Sequence, residues 1–180
     1  YRLPSFSATE GRGGDALVFF KPDVSINAGY NQFGANGLRE AGPRQLVGDY
    51  GDGRLVDSLG LADGRTAVLL QYNITGQEHY ELALLNSSNR LVRDVQDWTA
   101  PGGLRERNGV IDTLSNGRIV LGFEQFADFS KTDIAFTIRS PDGLSLTNTV
   151  PITPSTAGNR NLEDIEALTS GGFVAAYSHG

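Results

Sequence analysis

Leu61-Ala62-Asp63-Gly64-Arg65-Thr66-Ala67-Val68-Leu69-Leu70-Gln71-Tyr72 recurs in outline as Leu114-Ser115-Asn116-Gly117-Arg118-Ile119-Val120-Leu121-Gly122-Phe123 and as Leu168-Thr169-Ser170-Gly171-Gly172-Phe173-Val174-Ala175-Ala176-Tyr177. Each copy is Leu-x-x-Gly followed by a short apolar run ending at or beside an aromatic residue. Gly64, Gly117 and Gly171 stand 53 and 54 residues apart. A degraded copy lies at Ala8-Thr9-Glu10-Gly11-Arg12 before Ala16-Leu17-Val18-Phe19-Phe20, with Gly11 again 53 residues before Gly64. A second landmark keeps the same period: Leu38, Leu91 and Leu144, in Asn36-Gly37-Leu38, Asn89-Arg90-Leu91 and Asp142-Gly143-Leu144, are 53 residues apart. Two independent landmarks with one interval define a repeat.

Within a unit the pattern is β. Asn-Gly and Asp-Gly between apolar runs mark hairpin turns, because the turn needs positive φ at low steric cost. Asp133-Ile134-Ala135-Phe136-Thr137-Ile138-Arg139 alternates apolar and polar, as a half-buried strand does, and Glu81-Leu82-Ala83-Leu84-Leu85 is its equivalent one unit earlier. The runs after Leu-x-x-Gly are apolar nearly throughout, which predicts strands covered on both faces. A unit then holds four strands, represented by Thr66 to Tyr72, His79 to Leu85, Leu91 to Val95 and Gly109 to Leu114. Asn161 to Leu168 has a helical look, but its equivalents Asn108 to Leu114 and Val56 to Leu61 do not, and it is assigned as strand. The expected fold is all-β: tandem four-stranded antiparallel units of about 53 residues, of the size of β-propeller blades. Residues 1–180 form one repeat domain with units 12–64, 65–117 and 118–171, and with 1–11 and 172–180 as parts of flanking units. Closed propellers usually have four or more blades, so further blades or partner chains are expected to complete the ring. A stack of hairpin units is the structural alternative.

Composition narrows the function classes. The net charge is −6, which disfavours non-specific binding to nucleic acid or an anionic membrane. Thirteen of fifteen cations are Arg, with Lys21 and Lys131 the exceptions; genomic base composition accounts for that. There is no Cys and no Met, which removes disulfides, thiol nucleophiles and Cys-ligated zinc, together with the side chains most easily oxidised. That suits an exposed extracellular protein. No run reaches the length of a membrane span. A start at Tyr1 reads as a processed product or a fragment.

The segments Leu61 to Tyr72, Leu114 to Phe123 and Leu168 to Tyr177 resemble the Leu-(Ala/Ser/Thr)-(Asp/Asn)-Gly-Gly-Phe-Val blade repeats of large secreted bacterial proteins, many of which also carry haemolysin-type calcium-binding repeats. Arg65 and Arg118 replace the second glycine of that pattern, and the aromatic position drifts. The resemblance implies β-propeller-type blades, an extracellular or cell-surface location and often adhesion. It implies no catalytic residue.

Candidate sites are few. Asp49-Tyr50-Gly51-Asp52-Gly53, with Asp57 close behind, places Asp49 and Asp52 in a Gly-rich loop whose oxygens suit Ca2+; a solvated turn is the alternative. Gly11-Arg12-Gly13-Gly14-Asp15-Ala16-Leu17 is one imperfect copy of a calcium nonapeptide, too few oxygens for a site, and reads as a turn. Ser140-Pro141-Asp142-Gly143 reads as a hairpin turn. His79 and His179 fall at different phases of the repeat and lack a nucleophile context such as Gly-x-Ser-x-Gly. Trp98 has the area to stack a sugar or to fill a core. Asn73-Ile74-Thr75 and Asn86-Ser87-Ser88 match the glycosylation pattern, which matters only in a eukaryotic secretory route. Non-repeated polar residues gather in Thr99 to Glu106 and Thr153 to Asn161. The expected function is therefore extracellular, non-enzymatic binding, adhesion or structure, toward a carbohydrate, protein or surface ligand and without nucleic acid. A hydrolase or lyase recruiting Glu124, Arg65 and Arg118 to a propeller channel is the second reading. A subunit of a filament or larger assembly, joined through sheet edges, is the third.

Overall fold

The computed structural model describes residues 6–10, 16–20, 29–45, 54–74, 77–88, 90–98, 104–126, 131–153 and 158–179. Every regular element among them is a strand. In chain order these are β1 (Phe6–Glu10), β2 (Ala16–Phe20), β3 (Gly29–Phe33), β4 (Arg39–Gln45), β5 (Arg54–Gly60), β6 (Thr66–Ile74), β7 (Gln77–Leu85), β8 (Leu91–Trp98), β9 (Arg105–Thr113), β10 (Ile119–Phe126), β11 (Asp133–Arg139), β12 (Val150–Pro151), β13 (Arg160–Ala167) and β14 (Phe173–His179). They form three four-stranded sheets, β1 to β4, β5 to β8 and β9 to β12, and a two-stranded sheet of β13 and β14. Spatial order follows chain order in every sheet, so each is an antiparallel meander. The all-β expectation holds, and the ambiguous Asn161 to Leu168 segment is strand β13.

The sheets are out of phase with the units drawn at 12–64, 65–117 and 118–171. Of Gly109 to Leu114, expected as the last strand of one unit, all but Leu114 lie in β9, which pairs with β10 of the next. The Leu-x-x-Gly motif cannot be a boundary because it is the tight turn joining the first two strands of a sheet. Leu61 N–H donates to Arg65 O at 2.8 Å and Gly64 N–H to Leu61 O at 2.9 Å, and the pairs Leu114/Arg118 with Gly117/Leu114, and Leu168/Gly172 with Gly171/Leu168, repeat this closure. Gly64, Gly117 and Gly171 take φ of 81°, 78° and 96°, where a side chain is strained. The second landmark proves to be the same turn between later strands: Gly37 and Gly143 have φ of 74° and 80°, and Ser140 N–H donates to Leu144 O. The Asp or Asn before the glycine finishes the turn by accepting a backbone N–H two residues on, as Asp63 does from Arg65 and Asn116 from Arg118.

A further periodic feature leaves little trace in residue type. The ladder slips between Leu55 and Asp57 in β5, opposite Asn108 and Gly109 in β9, and between Leu162 and Asp164 in β13. Each slip is a β-bulge about five residues before the turn leucine, and each inserts a residue that bends the strand and resets which side chains face inward.

The chain forms two compact units, Tyr1–Gly76 with Glu81–Gln96, and Gln77–Tyr80 with Asp97–Gly180. In the first, β1 runs beside β5, and Leu17, Tyr30, Leu55, Val68, Leu70, Tyr72, Ala83 and Leu85 form the core. Residues 66–72 are buried without interruption, as a strand covered on both faces should be. In the second unit β13 packs against β9 and β10 around Leu114, Val120, Ile134, Leu162 and Ile165. Gly122 interrupts the apolar run of β10 for a packing reason: a Cβ there would overlap the side chain of Ile165. β14 departs from the expectation of two covered faces. Phe173 and Ala175 pack on the core, whereas Val174 and Tyr177 are about half exposed, at 52% and 46%.

Candidate functional site

Within the second unit, the start of β9, the end of β10 and the start of β13 meet around one carboxylate. Alternation in β10 sends Val120, Gly122, Glu124 and Phe126 to the face that receives β13, so Glu124 enters the core side of the sheet and is 0% exposed. A buried carboxylate is tolerated only when hydrogen-bonded and charge-compensated. Here both oxygens are engaged. Oε2 accepts Arg107 Nε–H at 2.6 Å, while Oε1 accepts Asn108 Nδ2–H at 2.7 Å and the backbone N–H of Leu162 at 2.9 Å.

The bulge in β9 makes this geometry. Arg107 pairs opposite Glu124, but the next paired residue is Val110, opposite Gly122. Asn108 occupies the bulge with φ of 51°, the one non-glycine residue with positive φ among the described residues. Asn tolerates that region better than most side chains. Its amide is thereby turned onto Glu124 although the residue itself is exposed. Arg107 lies with its guanidinium carbon 5.0 Å from the Phe126 ring centroid, a cation–π distance, and its side chain is 35% exposed. Its two Nη groups have no hydrogen-bond partner among the described residues. Arg105 projects from the same face two residues earlier and is exposed.

A second carboxylate holds the other end of β13. Asp112 Oδ2 accepts the N–H of Ala167 at 2.6 Å and its Oδ1 accepts that of Thr113 at 2.6 Å. Glu124 and Asp112 thus satisfy two N–H groups on the edge of β13 that β14 does not cover. Arg160, 6% exposed, pairs with Asp133 at 2.9 Å and fastens the start of β13 to β11. Glu106, between Arg105 and Arg107 in β9, is buried on the other face of the strand, and Arg139 at the end of β11 is buried as well. Burial pulls Arg139 down to about 10, against the field of Glu106, and it remains charged at neutral pH. Chemically, Glu124 is an orienting group: its lone pairs hold an arginine and an asparagine whose outer atoms stay open to solvent.

Of the residues named from sequence, Glu124 is in this cluster. Arg118 is exposed in the turn at the opposite end of β10, and Arg65, in the first unit, is bonded to Asp63 in its own turn at 2.7 Å. The three-residue channel set is therefore not assembled within the second unit. Asp49 and Asp52 lie outside the described residues, as do Gly11 to Asp15. Asp57 accepts the N–H of Ser58 at 2.7 Å, as Asp112 and Asp164 do from the residues that follow them. Among the described residues no group of three or more His, Asp or Glu is placed to hold a metal. His179 is exposed in β14 opposite Arg160; the side chains of His79 and Trp98 lie outside the described set. Asn86 Oδ1 accepts the N–H groups of Ser88 and Arg90, a turn role. Sequence reasoning missed Arg107, Asn108 and Asp112. The available signal was Asn108-Gly109 inside a strand pattern, a combination that marks a bulge.

No helix among the described residues is long and apolar enough to cross a membrane. No protein-family model matches the chain, and no curated protein matches it. Among solved structures, the crystal structure of an α-L-arabinofuranosidase from Lactobacillus brevis is similar, with a TM-score of 0.57 over 89% of this chain at 10% sequence identity. This chain spans 59% of that one, and the likeness is one of fold.

Proposed function

We propose that the sheets are blades of a β-propeller and that the chain is an extracellular, non-enzymatic binding module. Its ligand meets the end of the sheets where β9 begins and β10 ends. The meander order, the interval of 53 residues and the pairing of first strands, β1 beside β5 and β9 beside β13, support the blade reading. The observation that carries the function is the state of Glu124. Of the two buried carboxylates at this end, Glu106 alternates onto the other face of β9, and Glu124 has both its oxygens taken by Arg107, Asn108 and Leu162. A general acid or nucleophile needs an oxygen directed at substrate; Glu124 instead presents a fixed arginine and amide. The likeness to an arabinofuranosidase favours a second reading, a glycosidase that uses the same end of the sheets. Titration against a panel of oligosaccharides, run beside hydrolysis of aryl glycosides, separates the two. Saturable binding without turnover is expected. Turnover that disappears in a folded Glu124→Gln variant would establish the glycosidase reading instead.

A further inference from the structure

We infer that Arg107 and Asn108 form a subsite for the carboxylate and adjacent hydroxyl of an acidic, uronate-type saccharide. This rests on the binding-module reading above and adds its ligand class. The argument starts from the unused valence of two side chains. Of the five N–H groups of a guanidinium, Arg107 commits Nε–H to Glu124. That bond and the Phe126 ring fix the plane of the group, and among the described residues the two Nη groups have no acceptor, which suits them to an outside one. Two parallel N–H bonds from a fixed fork match a planar carboxylate. Asn108 gives one amide hydrogen to Glu124 and keeps its Oδ1 and second N–H at an exposed position. An acceptor and a donor next to the fork suit a sugar hydroxyl.

Charge and polarity select the class. Glu124 and Arg107 cancel, the Arg160–Asp133 pair cancels, and the buried Glu106 alternates onto the other face of β9, in a chain whose net charge is −6. The outward edge of the Arg107 fork holds donors alone, so the site favours an anion. The aromatic beneath the arginine, Phe126, is 3% exposed and covered by the guanidinium, so the described residues around the fork offer no apolar anchor for a peptide side chain. Because the bulge and Glu124 hold both groups in place before binding, little side-chain ordering remains to oppose it.

The test uses the whole 180-residue chain, labelled with 15N and titrated with trigalacturonate, with neutral galactotriose and with a glutamate-rich peptide. The expected result is saturable binding of trigalacturonate that moves the amide resonances of Gly109 and Leu162 and weakens with added salt. Affinity should fall at least tenfold in Arg107→Ala and at least fivefold in Arg107→Lys, which keeps the charge without the fork. It should fall two- to fivefold in Asn108→Gly, and Arg118→Ala at the far end of β10 should bind as the parent does. Should Arg107→Ala fail to fold, the lysine variant decides. Galactotriose binding equally well at the same resonances would overturn the carboxylate assignment and leave the binding-module reading standing, and so would tighter binding of the peptide. Absence of any trigalacturonate shift at millimolar concentration also overturns it, and the wider oligosaccharide panel then judges the broader reading by itself.

Discussion

The hydroxyl of Tyr80 accepts the backbone N–H of Gly109 at 2.6 Å. Gly109 sits in the β9 bulge, where its N–H has no ladder partner, and Tyr80 is 1% exposed, with its ring 6.3 Å from that of Phe123. Burial raises the phenol well above its ordinary value of 10.0, and the carboxylates of Glu106, Glu78 and Glu124 add to the rise against the Gly109 bond. The unfolded chain ionises this group near pH 10 while the folded chain keeps it neutral. Stability from Tyr80 is thus complete below that pH and is lost as pH rises beyond it, at up to about 1.4 kcal/mol per pH unit. Urea titrations from about pH 8 to 11 should show this slope, and Tyr80→Phe should flatten it. The same variant should cost about 1–3 kcal/mol at neutral pH by leaving the Gly109 N–H without an acceptor.

Glu124 tests the buried cluster. Replacing it by Leu removes the acceptor of three donors and leaves Arg107 without its counter-charge, so a loss of about 3–5 kcal/mol is expected. Glu124→Gln keeps the shape and one acceptor oxygen, and its loss should be about half as large. Denaturant midpoints of the two variants, compared at constant m-value, measure both.

Gly122→Ala is expected to cost about 1–3 kcal/mol by overpacking, because the new methyl meets Ile165 across the β10–β13 contact. Pairing it with Ile165→Val should recover part of the loss. A double-mutant cycle by thermal unfolding would detect that coupling.

The β13–β14 turn provides an internal control on backbone strain. Gly171 has φ of 96°, whereas the neighbouring Gly172 has no positive φ, and a methyl group added there would meet no atom within 4 Å. Gly171→Ala should therefore cost about 1 kcal/mol. Gly172→Ala should be neutral or slightly stabilising. Equal effects in the two variants would contradict the turn geometry.

Much of the fold was legible because turns are local. Asp63-Gly64 and Asn116-Gly117 carry their conformation in their own side chains, and the period of the leucines exposed the repeat without reference to distant residues. That period also assigned β13 as a strand where Asn161 to Leu168 looked helical. Sheet membership was less legible, since a repeat has no intrinsic starting point and only the hydrogen bonds of Leu114 to Arg118 show that the turn lies inside a sheet. The candidate site was nearly invisible. Glu124 meets Leu162 across 38 residues, and Asp112 meets Ala167 across 55; neither pairing leaves a pattern in a single sequence. Glu124 could be named only as one of several polar residues after an apolar run, and Arg107 could not be told from the other arginines.

The extra residue in each of β5, β9 and β13 separates two halves of a strand that would otherwise share one inside-outside alternation. Beyond it, toward the turn, the side chains obey the hydrophobic interior. Before it, the frame is reset, so Arg107 and Asn108 occupy positions whose chemistry is uncoupled from that constraint. In β5 and β13 the residue just before the extra one, Leu55 and Leu162, is still core, so β9 is the strand in which the device opens positions to recognition while the half toward the turn stays committed to folding.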